Sequence, residues 1–268
     1  MNASSETGAA DEPDRQAPAQ QALPSPVPVQ PSRRGLVLET WFVQIAFLVP
    51  GVLAAVDLLA EHIGGTGTIK RIPTIVAGHP AANLVLATVN YVTVGVVVPL
   101  GLLLLSRTGQ GPAMLGLTRP KWRTDVWPAV GLAAGGYGAV VALTIALAPL
   151  IATHKSLFVS PSLGHLPAYY VVYGLAASAI TAITEETLVN GYLLIRLEQL
   201  GWDPSRALVF SLILRTSYHV YYGLGFVLTI PLGYFLTRSF QKHRRLMRPI
   251  LAHFIYDAVL FTIAVLAT

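Results

Sequence analysis

The sequence predicts an all-α protein, a polytopic transmembrane bundle of about seven or eight helices, from three observations. Hydrophobic residues make up 53% of the 268 and charged residues only 12%, whereas soluble domains carry about 25% charged residues. The apolar residues gather in blocks of about twenty, roughly what a helix needs to cross about 30 Å of hydrocarbon. Lysine and arginine collect at the ends of those blocks, with a strong bias to one side.

Residues 1–34 stand apart. They are rich in Pro, Ala, Gln and Ser with scattered acids, contain PSPVPVQP from Pro24, and show no apolar period. Such a composition cannot bury enough surface to offset its ordering entropy, so a disordered, Pro-rich cytoplasmic tail is expected. It lacks the basic start, apolar run and small-residue cleavage site of a secretory signal.

Candidate spans follow at residues 39–60, 81–105, 126–152, 166–195, 207–222, 223–237 and 249–267. The fifth and sixth are short and nearly continuous. They read as two thin or tilted spans, or as one span plus a re-entrant piece. The long fourth segment yields an eighth helix if it breaks at Thr184. Small residues in the third span, Gly131-x3-Gly135 and Gly135-x2-Gly138, are expected to let helices approach closely. Between the second and third spans, Lys121 and Arg123 lie on either side of Trp122, with Trp127 following, the composition of a loop anchored at the headgroups.

With a cytoplasmic N-terminus, thirteen lysines and arginines that flank the spans fall inside. Only Lys70, Arg71 and Lys155 fall outside. This is the positive-inside pattern for seven spans in a bacterial plasma membrane. The net charge of +5 therefore belongs to span ends, with the lipid bilayer as partner and no nucleic acid. Cysteine is absent, which excludes disulfides, thiolate metal sites and a cysteine nucleophile.

Three polar clusters interrupt the apolar blocks: Glu185-Glu186, Arg215 with His219, and His253 with Asp257. An ionisable residue at membrane depth costs about 2.5–3.5 kcal/mol on insertion scales unless it faces a wet cavity or a partner. Convergence of the three clusters on one buried polar site is the expectation. Adjacent carboxylates on a helix point about 100° apart, so one can face a cavity while the other finds a structural partner. Glu186 and Asn190, at i and i+4, share a face. The competing reading, a solvated pair beyond a span ending at Thr184, conflicts with the apolar residues that resume at Leu188 and Val189. Arg215 cannot shed its charge and needs an anion; Glu185, Glu186 and Asp257 are the supply. Asp257, one turn from His253, can orient its imidazole, although the same pair could simply tie two helices together.

Two histidines and a carboxylate from three helices can hold Zn²⁺ with an open position, here His219, His253 and Glu185. The same groups can work without metal, Glu as base on water and His stabilising an oxyanion. Either arrangement hydrolyses an amide or ester. The chain has no H-E-x-x-H helix and no G-x-S-x-G elbow, so a Glu/His hydrolase remains.

EETLVNGYLLIRL from Glu185, RTSYHVYYG from Arg215 and RPILAHFIYD from Arg248 resemble, in order and spacing, the motifs of the CPBP family of CAAX proteases and bacteriocin-processing (Abi-like) proteins. LGLTRPKW from Leu115 resembles the stretch preceding the family core. The resemblance implies N-terminal transmembrane helices over residues 35–114 and a catalytic core over 115–268. It implies an intramembrane endopeptidase, glutamic or metal-dependent, with a peptide or membrane-protein substrate cut near the cytoplasmic face. By position it implies Glu185 as the water-activating glutamate and His219 and His253 as the motif histidines. Asp257 then takes the oxyanion Asn/Asp position, where a charge is acceptable only if protonated or paired with His253. Two positions depart from the family: Asn190 stands where Arg is usual, and Arg215 where Phe is usual. A guanidinium relocated from 190 to 215, pairing with Glu186, would reconcile them. The alternatives are a catalytically silent scaffold or binding protein and, with no internal repeat to support it, a transporter or proton relay.

Overall fold

A computed structural model of the protein describes residues 31–61, 95–158 and 169–266, with isolated positions between 81 and 88. The expected tail lies almost wholly outside the described residues, as does much of the second candidate span. The described residues form helices without a strand; a lone bridge joins Phe158 to Gly223.

The helices are α1 (Arg33–Glu61), α2 (Val97–Arg107), α3 (Trp127–Ala146), α4 (Ala148–Thr153), α5 (Tyr170–Glu185), α6 (Leu194–Gln199), α7 (Pro204–Ser217), α8 (Ile230–His243) and α9 (Met247–Leu266). A π-helical turn, Trp122–Val126, leads into α3, and a longer π segment, Glu186–Leu193, joins α5 to α6. Among the described residues, two stretches, Trp122–Ala146 and Met247–Leu266, are long and apolar enough to cross a membrane.

Several expectations need adjustment. The fourth segment does not break at Thr184: α5, the π segment and α6 run on as one helical rod over residues 170–199. The fifth and sixth candidates are two helices of 14 residues each, α7 and α8, joined by short 3-10 turns at Val220–Tyr222 and Leu224–Thr229. Arg33 and Arg34 already belong to α1 rather than to a tail. Asp203 explains where α7 begins: its side chain accepts from the N–H groups of Ser205 and Arg206, with Pro204 following.

The rod is the centre of the molecule. Every residue from Thr184 to Leu197 is buried, so this stretch is enclosed on all sides. Leu188, Val189, Tyr192 and Leu193 pack with Val43 and Phe47 of α1, Leu105 of α2 and Phe240 of α8. Close approaches occur at glycines, though not those expected. No side chain stands near Gly131, Gly135 or Gly138, whereas a Cβ on Gly136 would meet Leu232 and one on Gly174 would collide with the ring of Phe261. The motif faces open space because the third span packs on α8 and α9 through Ala129, Ala133 and Gly136 instead. Trp122 and Trp127 are exposed and meet edge to face, as an interfacial anchor would.

Candidate functional site

The carboxylates of Glu185 and Glu186 lie where α5 passes into the π segment, at the middle of the buried rod. Glu186 is fully buried and held from three elements. Its Oε1 lies 2.8 Å from Nδ1 of His253 on α9 and 2.8 Å from Nη2 of Arg215 on α7. Its Oε2 accepts from Asn190 Nδ2 on the same rod. Asn190 in turn accepts at Oδ1 from Thr237 of α8, 2.8 Å away. The relocated guanidinium expected from the sequence is therefore present in the geometry: Arg215 reaches Glu186, and Asn190 bonds the same carboxylate.

Arg215 also reaches Glu185, with Nη1 3.2 Å from Oε2, so one guanidinium bridges both acids. Tyr218 donates to the same oxygen at 2.7 Å. Glu185 Oε1 makes no hydrogen bond among the described residues. The Arg215–Glu186 contact is an ion pair off the line of a hydrogen bond, and Arg215 Nε is buried without an acceptor. Arg215 fits here because Gly233 faces it: a Cβ at 233 would stand 2.8 Å from Arg215 Cδ.

His219 differs from its expectation. The α7 helix ends at Ser217, so His219 lies in the following turn and not one helical turn beyond Arg215 on a common face. Its Nδ1 instead lies 2.8 Å from the Arg215 carbonyl. A carbonyl only accepts, so Nδ1 carries the proton and Nε2 the lone pair. The ring stacks on Tyr222 and lies against Tyr218. The charges of Glu185, Arg215 and Asp257 all act on it. His253 Nε2 is 3.3 Å from Asp257 Oδ2, so Asp257 does hold the imidazole, and His253 sits between two carboxylates.

This donor set does not fit Zn²⁺ as arranged. Both nitrogens of His253 face carboxylates, and Glu185 Oε2 is occupied by Arg215 and Tyr218. Among the described residues no group of three or more His, Asp or Glu is disposed to hold a metal ion.

Several supporting residues escaped the sequence reading. Arg196, expected at a span end, is fully buried and pairs with Glu39 of α1, while donating to Thr108, Gln199 and the Leu104 carbonyl. Gln44 of α1 donates to the Leu188 carbonyl inside the π segment, at 3.1 Å. Asp125 is buried and takes a two-pronged bond from Arg245, Nε at 2.7 Å and Nη2 at 2.6 Å. Each is a charged or amide residue near an end of an apolar block, where sequence alone cannot separate an interfacial side chain from an inward one.

Residues 167–259 match the family model described as type II CAAX prenyl endopeptidase Rce1-like. The CAAX protease resemblance read from the motifs holds over that segment, which contains all eight residues of the network and His219's turn. The LGLTRPKW loop lies outside it. No curated protein and no solved structure matches the chain.

Proposed function

Taking residues 167–259 as an Rce1-like CAAX-protease domain, we propose that the protein is a membrane-embedded endopeptidase with Glu185 as general base. It cuts a peptide or membrane-protein substrate near the cytoplasmic face. One observation carries the reading, the unequal fate of two neighbouring carboxylates. Glu186 is sealed among Arg215, His253 and Asn190, while Glu185 is anchored through one oxygen and keeps the other unbonded.

Arg215 and Tyr218 orient Glu185 by Oε2, leaving Oε1 to a water. Glu185 takes a proton from that water as its oxygen attacks the substrate carbonyl carbon, and the C=O electron pair moves onto oxygen. When the C–N bond breaks, that pair returns and the proton passes to the leaving amine. His219, fixed through Nδ1, offers Nε2 to the same water. His253, held between Glu186 and Asp257, stabilises the developing oxyanion by the charge of its imidazole. No step passes through a metal. The cytoplasmic N-terminus and the bundle of up to seven spans rest on the lysine and arginine bias and on the two apolar helices α3 and α9.

The test compares membranes of cells expressing wild type, Glu185→Gln or His219→Ala at matched levels, reading new peptide termini by mass spectrometry. Termini present only with wild type support the enzyme. The same termini in Glu185→Gln would remove the base from the mechanism. A second reading, a non-catalytic membrane scaffold, draws on the closure of the network, in which acids and bases neutralise one another. A scaffold yields no new termini and tolerates Glu185→Gln.

A further inference from the structure

Two adjoining grooves open where α1 begins and α7 begins, with Trp202 as their shared wall. One, of about 650 Å³, is lined by Arg33, Arg34, Val37, Leu38 and Leu200; the other, of about 420 Å³, by Arg206, Val209, Phe210 and Ile213. An aromatic ladder backs them: Trp202 lies 5.4 Å from Phe210, and Phe210 lies 5.9 Å from Trp41 of α1.

The grooves are graded from charge to grease. Arg33 and Arg34 open α1, and Arg206 sits in the first turn of α7. At about 1.5 Å of rise per residue, Leu38 lies roughly 6–8 Å and Ile213 roughly 10 Å further along their helices. These apolar side chains are largely exposed. Arg33 and Arg34 are exposed and form no ion pair among the described residues. Nearby acids are already committed: Asp203 caps α7 and contacts Arg206, while Glu198 is forked by Arg244.

From this gradient we infer that the joined grooves bind one anionic phospholipid of the cytoplasmic leaflet, its phosphate on Arg33 and Arg34 and an acyl chain along Val209, Phe210 and Ile213. A zwitterionic lipid matches the apolar walls but leaves the guanidiniums of Arg33 and Arg34 without net counter-charge. The bound lipid bridges α1 to the end of the rod, the two elements that Glu39 and Arg196 also join. The inference goes beyond the proposed hydrolysis and shares with it only the membrane setting. Its test uses no peptide substrate, so either can fail alone.

The full chain carrying Trp122→Phe and Trp127→Phe, which leaves Trp41 and Trp202 as reporters, is placed in phosphatidylcholine nanodiscs. It is titrated with brominated phosphatidylglycerol or brominated phosphatidylcholine. Phosphatidylglycerol should quench at much lower mole fraction. Each guanidinium near the surface contributes roughly fivefold in affinity, so Arg33→Gln with Arg34→Gln should weaken it roughly 25-fold. Arg119→Gln with Arg123→Gln, exposed on another loop, should leave it unchanged; unchanged circular dichroism checks the fold of both. Equal quenching by the two lipids overturns the inference, as does selectivity that survives loss of Arg33 and Arg34. Full competition by free inorganic phosphate, or binding that appears only after residues 1–30 are deleted, would also overturn it.

Discussion

Replacing Arg215 with Phe, the residue usual at that position in the resembled family, tests whether the guanidinium at 215 does the work expected of a cation at 190. The change removes the cation that lies 2.8 Å from Glu186 and 3.2 Å from Glu185, and both acids are buried. Stripping one partner from a buried pair costs about 3–5 kcal/mol. His253 remains on Glu186 and Tyr218 on Glu185, which argues for the lower half of that range. Adding Asn190→Arg returns a cation one turn from Glu186 but none to Glu185, so recovery should be partial, about 1–2 kcal/mol, within the coupling range of contacting residues. Alone, Asn190→Arg crowds a fully buried site beside Arg215 and strips Thr237 of its acceptor, costing about 1–3 kcal/mol. The assay is a double-mutant cycle on thermal unfolding in detergent, repeated on substrate cleavage. A coupling of zero, or a double variant worse than the sum of its singles, refutes the relocated-cation account.

Three further outcomes follow from the same geometry. Glu186→Gln puts an amide N–H among Asn190, Arg215 and His253, all donors, and should lower the unfolding temperature sharply, about 2–4 kcal/mol. Glu185→Gln should abolish cleavage with a much smaller thermal shift; equal shifts would contradict the division between the two acids. Gly233→Ala brings a Cβ to 2.8 Å from Arg215 Cδ and 3.1 Å from Leu212, costing about 1–3 kcal/mol and lowering cleavage through the displaced guanidinium. A variant with wild-type stability and turnover would show that Arg215 has slack. Asp125→Asn breaks the fork with Arg245 at a buried carboxylate whose partner is partly exposed, costing about 2–3 kcal/mol. Pulsed proteolysis should then cut between the loop before α3 and the start of α9 faster than in wild type.

The helical class and the convergence of the polar clusters were legible in the sequence because composition and spacing carry them. A bilayer-length apolar block with a carboxylate pair inside it allows few arrangements, and the i, i+4 relation of Glu186 to Asn190 survives even though that segment is π-helical. The loss of a cation at 190 and its gain at 215 are also visible in one dimension, and their proximity across helices is what the coordinates add. Other features were invisible for a physical reason. Which way a side chain points at a helix end depends on the neighbour it meets. At Arg196 and Asp125 the inward direction is set by Glu39 and Arg245, which the fold brings opposite them. His219 does not share a helical face with Arg215 as expected, because α7 stops two residues short of it and the imidazole turns to a backbone carbonyl. The sequence by itself determined the residues that carry charge into an apolar interior. Only the tertiary structure decided which of two adjacent acids is enclosed, since that depends on Arg215, His253 and Thr237 arriving from three other helices.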